Sequence, residues 1–197
     1  RRERELLARL QGADRVRITA PAGTDVTLTV TGRTFVSDLR ATPEYGVNLP
    51  CGEVYCAPVE DGADGIVVAD GPIGTDGSPP APVRIGVQRG RVTHVVCEDE
   101  TWQARIRALM DADATSDVIC ELGIGLNPAA RLVGRMLEDE KALRTCHVAF
   151  GSNEGMPGGR NRSTMHMDYL VHRPTITAVH PGGREVAVLA DGDLVEA

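Results

Sequence analysis

The spacing of apolar residues along the chain predicts an α+β fold in which strands outnumber helices. Apolar residues recur at helical intervals in three segments, which are residues 2–11, 99–112 and 129–143. Short apolar or alternating segments separated by turn-forming residues predict strands. These segments are residues 16–19, 26–30, 54–57, 66–69, 83–88, 91–96, 118–121, 145–151, 165–172, 175–179 and 185–190.

Glycine and proline mark the connections between these segments. Arg89-Gly90 joins two strand segments and predicts a tight hairpin turn. Residues 37–52 and 74–82 are rich in Gly and Pro and are therefore predicted loops. Together these features predict a curved, mainly antiparallel β-sheet with two or three helices, forming one domain over residues 1–197.

Composition narrows the kinds of partner. The formal net charge is −7 and 3% of the residues are aromatic, so the chain lacks the basic patches and stacking platforms that bind nucleic acids. No apolar run approaches the ~20 residues that a membrane span needs. The five cysteines are irregularly spaced and do not suggest a disulfide framework, so we expect a cytoplasmic protein.

The sharpest chemical signal is His166-Met167-Asp168. In a strand, residues two positions apart share a face, so His166 and Asp168 point the same way. An imidazole beside a carboxylate can hold one cation, with Zn, Fe and Mn all acceptable. By spacing alone, the same pair also fits a surface strand whose polar residues face water.

A second histidine, His147, lies among small and apolar residues and predicts a buried strand. A lone histidine in such a strand is usually hydrogen-bonded within the core. Here, however, the loop at residues 152–164 returns the chain directly to His166, and its glycines allow tight turns. We therefore predict that His147 and His166 lie within reach of one ion.

Two glutamates complete the candidate chemistry. Glu121 lies in the apolar stretch VICELGIG, where burying a carboxylate is costly unless it is paired or binds a metal. Glu53 follows Gly52, which would let the backbone approach a ligand closely. Glu53 also fits a plain surface residue at a strand edge, and the sequence alone leaves both interpretations open.

Several short motifs occur in a common order across almost the whole chain. They are Gly23-Thr24-Asp25, Asn48-Leu49-Pro50-Cys51-Gly52-Glu53-Val54, Ala57-Pro58-Val59-Glu60, Glu121-Leu122-Gly123-Ile124-Gly125-Leu126-Asn127, Asp139-Glu140-Lys141, His147-Val148-Ala149-Phe150-Gly151, Gly158-Gly159 and His166-Met167-Asp168. In this order they resemble the thermophilic-type metallo-aminopeptidases, the family of aminopeptidase T, aminopeptidase S and PepS. Each motif is weak by itself, and the ordered set carries the resemblance.

The resemblance implies a metal centre in the C-terminal domain of a longer, dimeric protein. It implies five metal ligands, Glu53, Glu121, His147, His166 and Asp168. In the family these positions hold two divalent cations such as Zn, Co or Mn, and Glu121 is also the candidate for activating water. Family members carry an N-terminal α/β domain that this chain lacks, so we expect the chain to be a fragment.

The chain departs from the family at one catalytic position. The family's peptidases place a Tyr seven residues after the His that matches His147, and Glu154 stands there in this chain. A glutamate normally only accepts hydrogen bonds at neutral pH, so a catalytic Glu154 would need a raised pKa. Arg160, Arg162 and Tyr55 are the predicted substrate-binding residues, because an arginine fork matches a substrate carboxylate; a solvated loop explains the arginines equally well.

Three functions stay open. The favoured one is a leucyl-aminopeptidase-like hydrolase that uses a metal-activated water on a small amide or short peptide. The alternative follows from short-loop relatives that resemble 2,5-dihydroxypyridine 5,6-dioxygenases, in which His147, His166 and Asp168 would hold one Fe(II). The third is a metal-binding domain without catalytic activity.

Overall fold

The strands of the protein form two antiparallel sheets with short helices at their margins. The computed structural model describes residues 1–39 and 48–196. The helices are α1 (Arg2–Leu10), α2 (Glu100–Met110) and α3 (Met136–Asp139), with a 3₁₀ turn at Pro181–Gly183. The strands are β1 (Arg15–Thr19), β2 (Asp25–Thr29), β3 (Val36–Ser37), β4 (Glu53–Cys56), β5 (Ala63–Ala69), β6 (Val83–Gln88), β7 (Arg91–Val96), β8 (Ile119–Gly125), β9 (Thr145–Gly151), β10 (His166–His172), β11 (Thr175–Val179), β12 (Glu185–Ala190) and β13 (Asp193–Leu194).

The two sheets combine neighbouring and distant parts of the chain. The larger sheet has the order β13-β12-β11-β1-β2-β5-β6-β7, and the smaller sheet has the order β10-β9-β8-β4-β3. The paired strands run antiparallel in both sheets. These findings confirm the predicted α+β class, with mainly antiparallel strands and few helices.

One cluster of buried apolar side chains joins the two sheets. It includes Val16 and Leu28 from the larger sheet, Leu122 and Val148 from the smaller sheet, and Leu6 from α1. Burial alternates along β1, because one face of that strand meets water. Every residue of β8 and β9 is buried, so these strands are covered on both faces and a polar residue on them is necessarily an interior one.

The predicted helix at residues 129–143 is wrong over most of its length, because only Met136–Asp139 is helical. The Asp139 side chain accepts a hydrogen bond from the backbone N–H of Val133 at 2.6 Å. Gly134, with φ +77°, turns the chain between them. A side chain that bonds to the backbone in this way competes with helical hydrogen bonding, and the apolar pattern of the segment does not reveal it.

Other predicted boundaries differ less. β8 continues to Gly125, beyond the predicted strand at 118–121, because it pairs with β4 as far as Glu53. Residues 40–47 of the predicted loop at 37–52 lie outside the described residues. Within the described part of the chain, no helix is long and apolar enough to cross a membrane.

The outer edge of β10 is covered by the segment that follows β5. The backbone N–H of Gly74 donates to the carbonyl of Asp168 at 2.9 Å, and that of Leu170 donates to the carbonyl of Pro72 at 3.2 Å. Gly71 donates in turn to the carbonyl of Leu170 at 3.3 Å. The strand that carries His166 and Asp168 is therefore paired on both sides.

Candidate metal centre

Alternation along the strands brings the predicted ligands to one face of the smaller sheet. Glu53 begins β4, Glu121 lies on β8, His147 lies on β9, and His166 and Asp168 lie on β10. The other face of these strands contributes Leu122, Val148 and their neighbours to the apolar core. The sheet thus separates a polar cluster from the core by the thickness of one strand layer.

Gly123 makes room for the central histidine. It pairs directly with His147 in the β8–β9 register. A Cβ atom at position 123 would lie 2.1 Å from Cε1 of His147, far inside any real contact distance. The imidazole therefore occupies the space in which a side chain at position 123 would lie, and only glycine at that position permits this arrangement.

Glu121 stands between the two histidines. Its Oε1 lies 3.5 Å from Nε2 of His147, and its Oε2 lies 3.2 Å from Nε2 of His166. A β-bulge between Ile119 and Glu121 changes the register of β8 against β9 at this point. The bulge aims the carboxylate at both rings at once, as bulges near functional sites commonly re-aim side chains.

The remaining two carboxylates face the same rings. Oδ1 of Asp168 lies 3.4 Å from Nε2 of His166 and 3.9 Å from Nε2 of His147. Oε2 of Glu53 lies 3.7 Å from Nε2 of His147. Both of these oxygens are buried and have no hydrogen-bond partner. Such oxygens are costly to bury, and a bound cation would supply the partner that they lack.

His166 is oriented by the loop that precedes it. Its Nδ1 lies 2.7 Å from the carbonyl oxygen of Ser152, so Nδ1–H donates there and Nε2 faces the cluster. Asp113 accepts hydrogen bonds from the hydroxyl of Ser163 at 2.8 Å and the backbone N–H of Thr164 at 2.7 Å. These contacts fix the loop immediately before His166.

Two further residues, Glu140 and Lys141, belong to the cluster although the sequence did not single them out as ligands. The Nζ atom of Lys141 lies 2.6 Å from Oε1 of Glu140 and 3.4 Å from Oδ2 of Asp38. It also forms an ion pair with Oε1 of Glu53. The sequence signal for these two residues was the motif Asp139-Glu140-Lys141, which contributed to the family resemblance but was assigned no ligand.

The ligand atoms form overlapping sets in which all atoms lie within 4.8 Å of one another. The sets are Glu53 with Glu121 and His147, Glu121 with His166 and Asp168, and Glu140 with His147 and Asp168. Imidazole nitrogens and carboxylate oxygens together suit Zn, Mn or Fe, so the residues present fit a divalent cation. Among the described residues, no set contains both histidines.

The charges within the cluster depend strongly on one another. Burial opposes the charged form of His147, but the hydrogen bond and attraction from Glu121 and the charge of Asp168 raise its pKa to about 10. Burial also opposes ionisation of Glu121, but hydrogen bonds from both histidines lower its pKa to about 2. The pKa of His166 is raised in the same way, against the effect of burial, by Asp168, Cys120 and Glu121. In the metal-free protein both rings therefore carry protons, which a cation must displace.

A cavity of 280 Å³ opens onto the cluster. It is lined by Asp38, Asn48, Glu53, Tyr55, Glu121, Leu137, Glu140, Met156, His166 and Asp168. A neighbouring cavity of 660 Å³ shares four of these residues and adds apolar side chains such as Leu49, Met136 and Met167. A small molecule that reaches the cluster therefore meets carboxylates on one side and apolar side chains on the other.

Of the other predicted site residues, one lines the cavity and three lie at the protein surface. Tyr55 lines the cavity, and burial together with nearby Glu121 raises the pKa of its phenol, which stays a hydrogen-bond donor at neutral pH. Glu154 is exposed and pairs with Nε of Arg162 at 2.8 Å, and neither residue is among those lining the cavity. Arg160 is exposed as well, and its backbone N–H donates to Glu60 at 2.8 Å.

A buried histidine, a partly exposed histidine and buried carboxylates on one face of an antiparallel sheet define a candidate metal-binding domain. The chain belongs to the family described as Thermophilic metalloprotease (M29), whose sequence profile matches residues 2–194. The predicted resemblance is therefore confirmed. No curated protein is significantly similar to the chain.

Two solved structures show the same fold. One is 2,5-dihydroxypyridine dioxygenase from Pseudomonas putida KT2440, with a TM-score of 0.84 and 20% identity over 100% of this chain and 59% of that one. The other is AmpT from Thermus thermophilus, with a TM-score of 0.79 and 21% identity over 99% of this chain and 55% of that one. This chain thus spans a little more than half the length of either protein.

Proposed function

We propose that this chain carries the metal centre of an aminopeptidase-like hydrolase that cleaves a small amide or short peptide. The observation that carries the proposal is the position of Glu121, whose two oxygens face different histidines. A carboxylate shared in this way is suited to bridging two cations, an arrangement that hydrolases use for displacement reactions. Membership of a metalloprotease family supports the same class of reaction.

The charge of the cluster also favours two cations. Five carboxylates converge there, each at most 9% exposed, and Lys141 is the one ammonium among them. The five are Asp38, Glu53, Glu121, Glu140 and Asp168. Burial raises the pKa of Glu53 to about 8 in the metal-free protein, so the following count applies to the metal-loaded centre. With neutral histidines and all five carboxylates ionised, five negative charges and one positive charge would leave −4, which two divalent cations match and one does not. Because uncompensated buried charge is costly, two cations are the better fit.

The chain's own residues have distinct proposed roles in hydrolysis. Bound divalent cations lower the pKa of a water molecule and polarise the substrate carbonyl. Glu121 would accept the proton of that water, because its carboxylate faces both histidines of the cluster. Tyr55 faces the same cavity and donates a hydrogen bond to the substrate, which Glu154 on its exposed loop does not reach.

The test uses full-length protein purified without chelators. Elemental analysis should find close to two Zn, Mn or Co ions per chain, and a panel of aminoacyl amides should be hydrolysed. Tyr55→Phe should weaken turnover without changing the metal content, since Tyr55 belongs to no ligand set. Absence of turnover with every divalent ion tested would contradict the proposal.

A second candidate is an Fe(II) dioxygenase. It is favoured by Glu154, which replaces the expected phenol donor and pairs with Arg162 instead of lining the cavity. Two histidines and one aspartate, His147, His166 and Asp168, are the ligand types of such iron sites. Oxygen uptake with 2,5-dihydroxypyridine after anaerobic loading with iron tests it. Glu53→Ala separates the two candidates, because it removes a ligand from the two-cation centre and none from the iron site.

We further propose that residues 1–197 act as one catalytic domain of a cytoplasmic homodimer whose substrates are small molecules or short peptides. The acidic charge of −7 is consistent with such substrates and with no nucleic-acid partner. Light scattering on the full-length protein measures the oligomeric state. A monomer at micromolar concentration would contradict the dimer without affecting the proposed reaction.

A further inference from the structure

Lys141 is the only lysine of the chain, whereas the other twenty of its 21 basic residues are arginines. This lysine is completely buried, with 0% of its surface exposed. The sequence therefore uses arginine wherever a cation meets solvent and places its one ammonium inside the metal centre. Such a distribution indicates that position 141 needs a property of lysine that arginine lacks.

The contacts of Lys141 identify that property. Its Nζ atom meets three carboxylates, those of Asp38, Glu53 and Glu140. An ammonium is a compact charge with three donors, so it can serve three converging acceptors at once. A guanidinium is larger and planar, and its fixed fork suits one carboxylate approached edge-on.

Lys141 also decides which oxygen of Glu53 faces the ligand sets. It binds Oε1 of Glu53, and this leaves Oε2 buried, unpartnered and 3.7 Å from Nε2 of His147. On the other side it binds Oε1 of Glu140, a member of the set with His147 and Asp168. One ammonium thus orients a carboxylate from β4 and a carboxylate from the segment after α3.

We propose that Lys141 is a fixed cation of the metal centre, which holds Glu53 and Glu140 in their ligand positions when metal is absent. It is a positioning residue and takes no part in the reaction. The centre is then assembled before metal arrives, and folding does not depend on metal. This inference concerns the metal centre only and holds for either candidate reaction.

The first test observes the ammonium directly. Protein labelled with ¹⁵N-lysine is compared with Lys141→Met, and the side-chain ammonium signal that disappears in the variant belongs to Lys141. In the metal-free wild type we expect hydrogen exchange at this signal to be at least about 100-fold slower than in free lysine, because the ammonium is buried and bonded. Addition of Zn(II) should shift the signal. Exchange as fast as in free lysine would overturn the proposal.

The second test measures thermal unfolding with and without metal. Lys141→Met should lower the Tm of the metal-free protein by about 10 °C, because it leaves buried carboxylates without their cation. Saturating Zn(II) should recover most of that loss, since metal then supplies the charge. Arg17→Met is the matched control, because Arg17 forms an exposed ion pair with Asp25 at 2.9 Å in the larger sheet. Equal metal-free Tm values for wild type and Lys141→Met would overturn the proposal.

A double variant covers the case in which Lys141→Met does not fold. Glu140→Gln combined with Lys141→Met removes one charge of each sign, so the formal charge of the cluster stays the same. We expect the double variant to fold without metal, and to be more stable than Lys141→Met whether that variant unfolds at a lower temperature or does not fold at all. If Glu140→Gln brings no recovery, charge compensation is not what Lys141 supplies, and the proposal fails.

Discussion

In each sheet, one cross-strand pair joins a glycine to a histidine whose ring lies over that glycine. Gly123 of β8 pairs with His147 of β9 in the smaller sheet, and Gly86 of β6 pairs with His94 of β7 in the larger sheet. In both pairs the ring covers the glycine. A Cβ atom would lie 2.1 Å from Cε1 of His147 at position 123 and 2.0 Å from Cε1 of His94 at position 86.

The surroundings of the two rings differ completely. His147 is 1% exposed and lies within 4 Å of oxygens from Glu53, Glu121 and Asp168. His94 is exposed, and its Nδ1 lies 3.1 Å from the hydroxyl of Thr93. The same local pairing therefore yields a surface feature in one sheet and a candidate ligand in the other. Burial among carboxylates, rather than the pairing itself, marks the metal centre.

The largest expected difference follows from removing each ring. His147→Ala should weaken metal binding by at least about 100-fold, because a ligand is lost and its carboxylate neighbours lose their partner. His94→Ala should leave metal binding unchanged. Calorimetric titration of the metal-free proteins with Zn(II) measures both variants. A similar affinity for the two variants would remove His147 from the centre.

Replacing the glycine under each ring by alanine should give a somewhat smaller difference in metal affinity between the two sheets. Gly123→Ala should force the His147 ring away from the cluster, lowering metal affinity by about tenfold or more and stability by about 1–3 kcal/mol. Gly86→Ala should change stability by less, about 1 kcal/mol, because an exposed His94 ring can swing into solvent. Thermal unfolding and Zn(II) titration report the two effects separately. A harmless Gly123→Ala would show that the ring has room to move.

Competition between protons and metal for His147 should make metal affinity depend gradually on pH. Since its pKa in the metal-free protein is about 10, a cation must displace a proton at neutral pH. Metal affinity should therefore rise by about tenfold per pH unit for each proton released, up to that pKa. Calorimetry in buffers of different ionisation enthalpy counts the protons. Metal binding that releases no proton across neutral pH would contradict this assignment.

The same pKa determines how metal-free stability depends on pH. Folding raises the pKa of His147, so the protonated form is the stabilised one. Protonated His147 therefore adds to the free energy of unfolding. This stabilisation is complete below the unfolded pKa of about 6.5 and disappears as pH rises through about 10. Denaturant unfolding of the metal-free protein at several pH values measures it. His147→Ala should flatten the profile in this window.

The smallest contrast concerns two aspartates that accept backbone hydrogen bonds. Asp113 fixes the loop before His166 through Thr164 at 2.7 Å, whereas Asp64 binds the backbone of Arg89 at 2.9 Å in the larger sheet. Asp113→Ala should weaken metal binding by about tenfold by loosening His166, and Asp64→Ala should not weaken it. Backbone hydrogen bonds from Thr164 and Thr115 hold the pKa of Asp113 well below its usual range, so this contact persists at neutral pH. Unchanged affinity in Asp113→Ala would show that other contacts suffice to hold the loop.

Strand segments and the shared face of His166 and Asp168 follow from local sequence signals, whereas the full set of five clustered residues follows from the resemblance to the family. The strand period of two places His166 and Asp168 on one face, and an acidic residue within an apolar stretch indicates that Glu121 is interior. Lys141 gives no such signal, because its partner Glu53 lies 88 positions away in the chain. The pairing of β4 with β8, together with the hydrogen bond from the backbone N–H of Asn127 to the carbonyl of Lys141, brings these two residues together.

The segment around Asp139 and the loop around Glu154 show a second limit. The apolar spacing at 129–143 predicts a helix, but the Asp139 side chain bonds to Val133 and changes the backbone path. The resemblance to the family makes Glu154 a catalytic candidate, because it stands where the peptidases have a Tyr, but the loop turns its side chain towards Arg162 in solvent. In both places one side-chain contact, invisible in the pattern, decides the geometry.

The covering of β10 by the segment at residues 71–74 has a consequence for how the protein behaves in concentrated solution. A bare edge strand is a template on which a second molecule can pair. Because Gly74 and Pro72 already occupy the hydrogen bonds beside Asp168 and Leu170, this edge of β10 would stay paired in the absence of metal. A metal-free molecule would therefore not offer the β10 edge to a second copy for strand pairing.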